Sequence, residues 1–414
     1  MITPDQLEVL RDAVGEGGLQ EHEPIDLDGL AAGLTLSPSD GEGLSRTLAA
    51  LRRCGLAVAV CGGGSCAGVG NPLTGLDAFL STGRLVGFEE LDASEGVCHV
   101  RSGTPVRVVR EALASSGWEL PLDPPGRDST VGGCLAAASI GPRALGLGLP
   151  RDQVLGLTVL LASGERVRCG GRVVKNVTGY DLNKLYTGSY GTLGVIESAW
   201  LRLRPAPERS ASCEIRGAQM EGVLRSTIAA ARRESGRAAA IASNGAEGWR
   251  AVIEFAGDAP TVERDLGWLR EEHGASDAKD EAIGEIRDLQ AEVPAPFGLR
   301  FRIGALVSRL ERTLVELRAG GASLLAYPGL QLVYASFAFD ASPTEREVET
   351  IFRNVESTAR SAGGGYVCEA APTSIKAGRD MFSDLGAGGS IVRTLKQRFD
   401  PTGVLNPGRF AGRN

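Results

Sequence analysis

Apolar positions recur along this chain at two spacings, every second residue and every third or fourth, and stretches of the two kinds alternate. The spacing predicts a short helix over 4–14 within a preamble of residues 1–36. A turn at Pro38, Ser39 and Asp40 leads into a second helix over 44–54, with Leu44, Leu48 and Leu51 on one face. Residues 56–60, Leu-Ala-Val-Ala-Val, form an apolar run that glycine bounds, which reads as a buried strand. A strand over 97–101 is followed by a helix from Thr104 or Pro105 to Ser116, with Val106, Val109 and Leu113 at helical spacing and Gly117 as its stop. Residues 154–162 and 165–169 read as a hairpin turning at Ser163 and Gly164. Val195, Leu201 and Leu203 mark a buried strand over 195–203. Pro205 and Pro207 break the chain, and beyond them the composition changes. Helices over 220–234, 261–272 and 345–361 interleave with strands over 238–242, 249–255, 298–303, 324–327 and 331–339, the order expected of a second α+β domain.

Three loops interrupt this pattern with small residues. The first, Cys61 to Pro72, follows the 56–60 strand and opens Cys-Gly-Gly-Gly-Ser. Consecutive N–H groups with no side chain over them form a nest that suits a pyrophosphate. The loop is not the dinucleotide fingerprint of a Rossmann fold, because no helix begins immediately after it and no acidic residue stands at the required distance. The second, 122–133, fixes an extended path with Pro124 and Pro125, offers the hydroxyls of Ser129 and Thr130, and enters a small-residue helix over 134–138 through Gly132 and Gly133. The third, 187–194, has glycine at 188, 191 and 194 and feeds directly into the 195–203 strand, so a buried strand is supplied by a loop built for close approach.

Residues 171–182 (Gly-Arg-Val-Val-Lys-Asn-Val-Thr-Gly-Tyr-Asp-Leu) followed by 187–196 (Thr-Gly-Ser-Tyr-Gly-Thr-Leu-Gly-Val-Ile) resemble the FAD-binding chains of the vanillyl-alcohol-oxidase (PCMH-type) flavoprotein superfamily. Within it they are most similar to the E-type subunits of glycolate oxidases. The resemblance covers most of 30–205, returns at 400–410 and is weak between 206 and 390. It implies an α+β protein with a two-lobed PCMH-type FAD-binding domain at 1–206. An α+β, ferredoxin-like cap at 207–394 would serve substrate or a subunit interface, and a tail at 395–414 would return to the flavin domain. It assigns FAD contacts to Cys61, Gly62, Gly63, Gly64 and Ser65, and to Pro125, Gly126, Ser129, Thr130, Gly132 and Gly133. It adds Gly141, Arg151, Asp152 and Lys175, then Gly191, Thr192, Gly194, Val195, Ile196 and Asn406. Read alone, Lys175 is equally a sheet-edge cap and Asn406 equally a loop cap. The chain departs from the family where Ala138 replaces a usual Asn and Gly146, Leu147 and Gly148 replace an Arg-Tyr-Gly run, which would weaken flavin binding by about 1 kcal/mol per lost polar contact. Gly64 and Ser65 stand where covalent relatives carry the flavin-linking histidine, and Cys66 and Cys134 read as packed residues, so the FAD is expected to be noncovalent.

Composition narrows the function. A net charge of −7, with Lys and Arg scattered, argues against nucleic acid and against an anionic membrane surface as the main partner. The eight cysteines are dispersed with no Cys-x-x-Cys pair, so zinc and iron–sulfur sites are unsupported in this chain, no metal is expected, and reduced thiols in the cytoplasm are the reading. No apolar run approaches the ~20 residues that span a bilayer. His99 reads as an ordinary sheet histidine, and the cap holds only His273, at what looks like a surface helix end. A hydroxy-acid dehydrogenase needs a base near the alcohol proton. Arg300, Arg302 and Tyr334 are the substrate-carboxylate candidates, against the alternative of a solvated strand face. The leading expectation is therefore one flavoprotein subunit of a complex acting on a small 2-hydroxy acid. A sister D-type FAD subunit would carry the base and an F-type iron–sulfur subunit would take the electrons, with the assembly cytoplasmic or peripheral on the inner membrane through its partners. The alternatives are a free-standing FAD-dependent oxidoreductase and a non-catalytic scaffold with a degenerate flavin site.

Overall fold

The computed structural model describes residues 2–172, 181–243, 245, 248–292 and 297–413. Residues 173–180 of the 171–196 segment, Lys175 included, lie outside the described residues. The chain divides into two compact units: Met1–Ser139, Leu149–Pro205 and Asp384–Asn414 form the first, Ile140–Gly148 and Ala206–Ser383 the second. The chain thus passes between units four times.

In the first unit the preamble is more structured than its polar sequence suggests. A helix, Pro4–Val14, starts at a capping box between Thr3 and Gln6. It is followed by a hairpin of β1 (Leu19–Leu27) and β2 (Leu30–Leu36), turning at Asp28 with φ 56° and at Gly29. β1 is mostly exposed, and that exposure is why its alternation is invisible in the sequence. The next helix, Gly41–Cys54, begins three residues before its first core leucine, because the Asp40 carboxylate accepts the Gly43 N–H at 2.7 Å and caps it. With β3 (Val58–Cys61) and β4 (Ala78–Ser81) the hairpin completes a sheet of order β1-β2-β4-β3, parallel at its last two pairings.

A second sheet, order β5-β6-β10-β8-β9, is antiparallel throughout. Its strands are β5 (Phe88–Asp92), β6 (Val97–Arg101), β8 (Val154–Leu160), β9 (Arg166–Gly170) and β10 (Val195–Arg202), while β7 (Trp118–Glu119) pairs with β11 (Arg204–Pro205). β10 is the central strand, and Val195, Leu201 and Leu203 are all buried. Val195, Leu160 and Ala162 share a core with Leu36, Leu48, Leu51 and Val58 of the first sheet and its helix, so the head of β10 sits between the two sheets.

The second unit is a single antiparallel sheet of eight strands, β15-β12-β14-β13-β17-β18-β16-β19. These are β12 (Arg209–Gly217), β13 (Gly236–Ser243), β14 (Trp249–Gly257), β15 (Ser276–Asp277), β16 (Leu299–Gly304), β17 (Ser323–Tyr327), β18 (Leu332–Phe337) and β19 (Tyr366–Ala370). The helix Ala282–Asp288 packs Ile283 and Ile286 against Ala238, Ala240, Ala242 and Val252. The excursion Ile140–Gly148 is fastened here: Arg143 binds Glu254 through Nε at 3.0 Å and Nη2 at 2.6 Å. A side chain at Gly146 would meet the backbone of Arg237 at 3.2 Å. Packing on this sheet therefore requires a residue without a side chain at 146.

Candidate functional site

The first glycine loop, the second glycine loop and the head of β10 converge within the first unit on a cavity of ≈ 380 Å³. Its walls include Cys61–Ala67, Thr130, Gly132, Gly133, Gly191, Gly194–Ile196 and Asn406. The loops are held against each other so tightly that a Cβ on Gly63 would lie 1.8 Å from the Asp128 carbonyl, and one on Gly62 would lie 2.2 Å from Thr130 Oγ1. Gly64 differs, with φ +78° and open space where a side chain would be. Sequence reasoning ascribed all three glycines to ligand approach; two of them serve the packing of loop on loop.

The loop backbone carries the chemistry. Among the described residues, the N–H groups of Gly62, Gly63, Gly64 and Ser65 donate to no protein acceptor. Four successive N–H groups without protein partners beside a cavity are free to take an anion. A diphosphate would satisfy them with charge-assisted bonds of about 1.5–3 kcal/mol each. The residues present therefore fit the diphosphate of a dinucleotide.

The remaining expected residues fall into three groups. Some support the cavity without lining it. Ser129 Oγ donates to the Pro125 carbonyl at 2.6 Å and lies 3.4 Å from Ser65 Oγ, tying the two loops, and Gly126 turns with φ +79°. Thr192 Oγ1 donates to the Ser189 carbonyl at 2.7 Å. Others lie elsewhere. Arg151 and Asp152 are half-exposed and face each other at 3.8 Å, and Gly141 belongs to the second unit. Asn406 lines the cavity, but its amide is a clasp: Oδ1 accepts from the Val60 N–H at 2.8 Å and Nδ2 donates to the Tyr190 carbonyl at 2.7 Å. One N–H and one lone pair are left for a ligand.

Two buried ion pairs escaped the sequence reading. Lys396 Nζ donates to the Thr192 carbonyl (2.9 Å), the Leu405 carbonyl (2.7 Å) and Asp400 Oδ2 (2.6 Å). Burial pulls its pKa below the usual lysine value, against the attraction of Asp400. Arg409, on the cavity wall, binds Asp28 at 2.6 Å and the Asn71 carbonyl at 2.8 Å, joining the tail to the β1–β2 turn. The i,i+4 spacing of Lys396 and Asp400 was the available signal; nothing in the sequence connects Asp28 to Arg409.

In the second unit the candidate arginines are already neutralised. Arg302 Nε donates to Glu369 Oε1 at 2.7 Å, and Arg300, 7 % exposed, reaches the other carboxylate oxygen at 3.8 Å. Both share one sheet face as the alternation implied, but Arg300 is buried and not solvated. Tyr334 is buried, ring to ring with Tyr327 at 5.6 Å. His273 ends the helix Ala259–His273 and its Nδ1 lies 2.8 Å from Ser226 Oγ. His99 is a sheet residue between Glu89 (3.0 Å) and Ser198 (2.8 Å), stacked on Trp200.

A two-sheet unit whose unpartnered loop N–H groups line a cavity beside a central strand is suited to a dinucleotide. The family described as "FAD binding domain" matches residues 32–170. Glycolate oxidase subunit GlcE of Escherichia coli is 32% identical over 362 residues, covering 84% of this chain and 91% of that protein. The chain belongs to the FAD-binding oxidoreductases of the glycolate oxidase family, and FAD is its cofactor. Glycolate oxidase subunit GlcD of Bacillus subtilis is 41% identical over 120 residues, 29% of this chain and 26% of its own. A D-lactate dehydrogenase of Archaeoglobus fulgidus is 32% identical over 200 residues, 48% of this chain and 45% of its own. Among solved structures, an alkyldihydroxyacetonephosphate synthase superposes with a TM-score of 0.72 at 15% identity, over 98% of this chain and 85% of that one, a likeness of fold. Among the described residues, no helix is long and apolar enough to cross a membrane.

Proposed function

We propose that this chain is the E-type flavoprotein subunit of a glycolate oxidase-like complex, passing electrons from a small 2-hydroxy acid toward an acceptor. The observation that carries the reading is the match to a glycolate oxidase subunit over most of both chains. FAD, when bound, accepts the hydride equivalent of the oxidised alcohol and releases electrons onward. The chain's own part is to hold it noncovalently: Gly62–Ser65 clamp the diphosphate, Thr130 and Ser129 fix the second loop against the first, and Asn406 locks the third. Arg300 and Arg302 are committed to Glu369, and the single histidine of residues 206–383 is committed to Ser226. A base supplied by a sister D-type subunit, with an F-type iron–sulfur subunit as electron acceptor, fits that arrangement. The assembly is cytoplasmic or peripheral on the inner membrane through these partners.

The second reading, a free-standing hydroxy-acid dehydrogenase, draws on the similarity to D-lactate dehydrogenase. The test is the visible spectrum of the purified chain before and after anaerobic glycolate or D-lactate. Bound flavin whose bands substrate leaves unchanged, but bleaches once the partner subunits are added, supports the subunit reading. Bleaching of the lone chain overturns it in favour of the free-standing enzyme.

A further inference from the structure

Ser102 follows β6 directly and is fully buried. Its backbone is fixed on both sides: its N–H donates to the Glu197 carbonyl of β10 at 2.9 Å, and its carbonyl accepts the Gly132 N–H at 2.7 Å. Its side chain is a different matter. Ser102 lines the cavity, and its Oγ has no hydrogen-bond partner. A buried hydroxyl left unpaired is costly, and such groups in folded proteins mark places where something else completes the bonding. Gly132 packs directly against this residue, where a Cβ would come within 2.6 Å of Ser102 Cβ. The same wall carries Thr130, which abuts Gly62 of the nest, so the hydroxyl belongs to the surface that receives the dinucleotide.

We propose that Ser102 Oγ is a hydrogen-bonding ligand of the bound FAD, addressed to one of the cofactor's nitrogen or oxygen atoms from outside the three glycine loops. The inference rests on the reading of this cavity as the FAD site. It makes a paired demand that a structural serine would not. Removing the hydroxyl takes a bond from the complex and at the same time relieves the empty protein of an unsatisfied group.

The test is Ser102→Ala in the full chain, stripped of flavin. FAD affinity is read by titration calorimetry or flavin fluorescence, and the melting temperature of the flavin-free protein by differential scanning. The expected result is about tenfold weaker FAD binding with a flavin-free melting temperature equal to or above that of the wild type. Affinity within twofold of the wild type overturns the inference, as does a lowered melting temperature of the flavin-free variant. If Ser102→Ala does not accumulate, Ser102→Cys carries the test: its thiol keeps the shape but donates weakly, so affinity must fall, and wild-type affinity there refutes the assignment. A wild-type chain that binds no FAD sinks the cavity reading and this inference together; wild-type binding with an indifferent Ser102→Ala sinks the inference alone.

Discussion

Replacing Lys396 with methionine would remove one charge from an enclosure that holds two. The ammonium is the meeting point of three segments: its own helix Gly388–Phe399, the 187–194 loop through the Thr192 carbonyl, and the tail through Asp400 and Leu405. The Asp400 side chain is 0% exposed and would keep only the N–H groups of Val404 at 3.0 Å and Leu405 at 2.8 Å. Methionine fills the lysine stem but donates nothing. Stranding one partner of a buried pair costs about 3–5 kcal/mol, and the two remaining donors to Asp400 place this case near the lower end, about 3 kcal/mol. For a unit of this size each kcal/mol is worth roughly 2–4 °C, so the first unit should melt some 6–12 °C lower. FAD should also bind more weakly, since Gly191 and Asn406 on the cavity wall belong to the segments released. The assay is calorimetric melting of the wild type, Lys396→Met, Asp400→Asn and the double variant. The double variant should be no less stable than Lys396→Met, because the stranded carboxylate is gone. A single variant melting within roughly 2 °C of the wild type would refute the reasoning.

Four further outcomes are expected. FAD at a hundredfold excess over its dissociation constant should stabilise the chain by about 2.7 kcal/mol, read as a rise in melting temperature that ADP shares in part through the same nest. Gly63→Ala, which drives a methyl into the Asp128 carbonyl, should weaken FAD binding at least tenfold by parting the two loops (about 1.4 kcal/mol or more); unchanged affinity by titration would contradict the packing argument. Ala138 caps its helix with φ 46°, where a side chain without a polar tip is disfavoured, so Ala138→Gly or Ala138→Asn should stabilise by about 0.5–1 kcal/mol in denaturant melts. Asp265 is fully buried; burial raises its pKa, but hydrogen bonds from Ser235 and the Arg233 guanidinium outweigh it and leave the carboxyl below its ordinary value. A depressed carboxylate contributes stability above its unfolded pKa and loses it as pH falls through the folded one, so the second unit should weaken below about pH 4, and acid titration of Asp265→Asn should show a flatter curve.

Ala138 shows how far the sequence alone reached. The family pattern flagged the position, and loss of a flavin contact was the available explanation. The backbone supplies another: the position is left-handed, a conformation that asparagine tolerates better than alanine, whether or not a ligand is near. In the neighbouring run 146–148 the family pattern implies lost flavin contacts, and the structure adds that Gly146 packs against Arg237 of the second unit's sheet. The pattern of apolar residues was enough for the helix 41–54, for β3, β6, β8, β9 and β10, and for most of the second sheet, because each buries one regular face. It missed β1, which is mostly exposed and pairs only with β2, β2, although its Ala32, Leu34 and Leu36 alternate as buried residues, and the helix Val307–Ala319.

The sequence by itself determined that three glycine-rich loops follow or feed buried strands, that the chain resembles FAD-binding proteins, and that its cap is poor in histidine. Only the tertiary structure decided which glycines open onto the cavity and which face another loop. It also decided that Asn406 clasps β3 to the 187–194 loop, that Lys396 and Arg409 tie the tail down from within, and that Ser102 holds an unpaired hydroxyl against the cavity. Local sequence sets the backbone preferences of each short stretch, but a hydrogen-bond partner 200 or 300 residues away is chosen by where the folded chain brings it, and no spacing along the sequence encodes that.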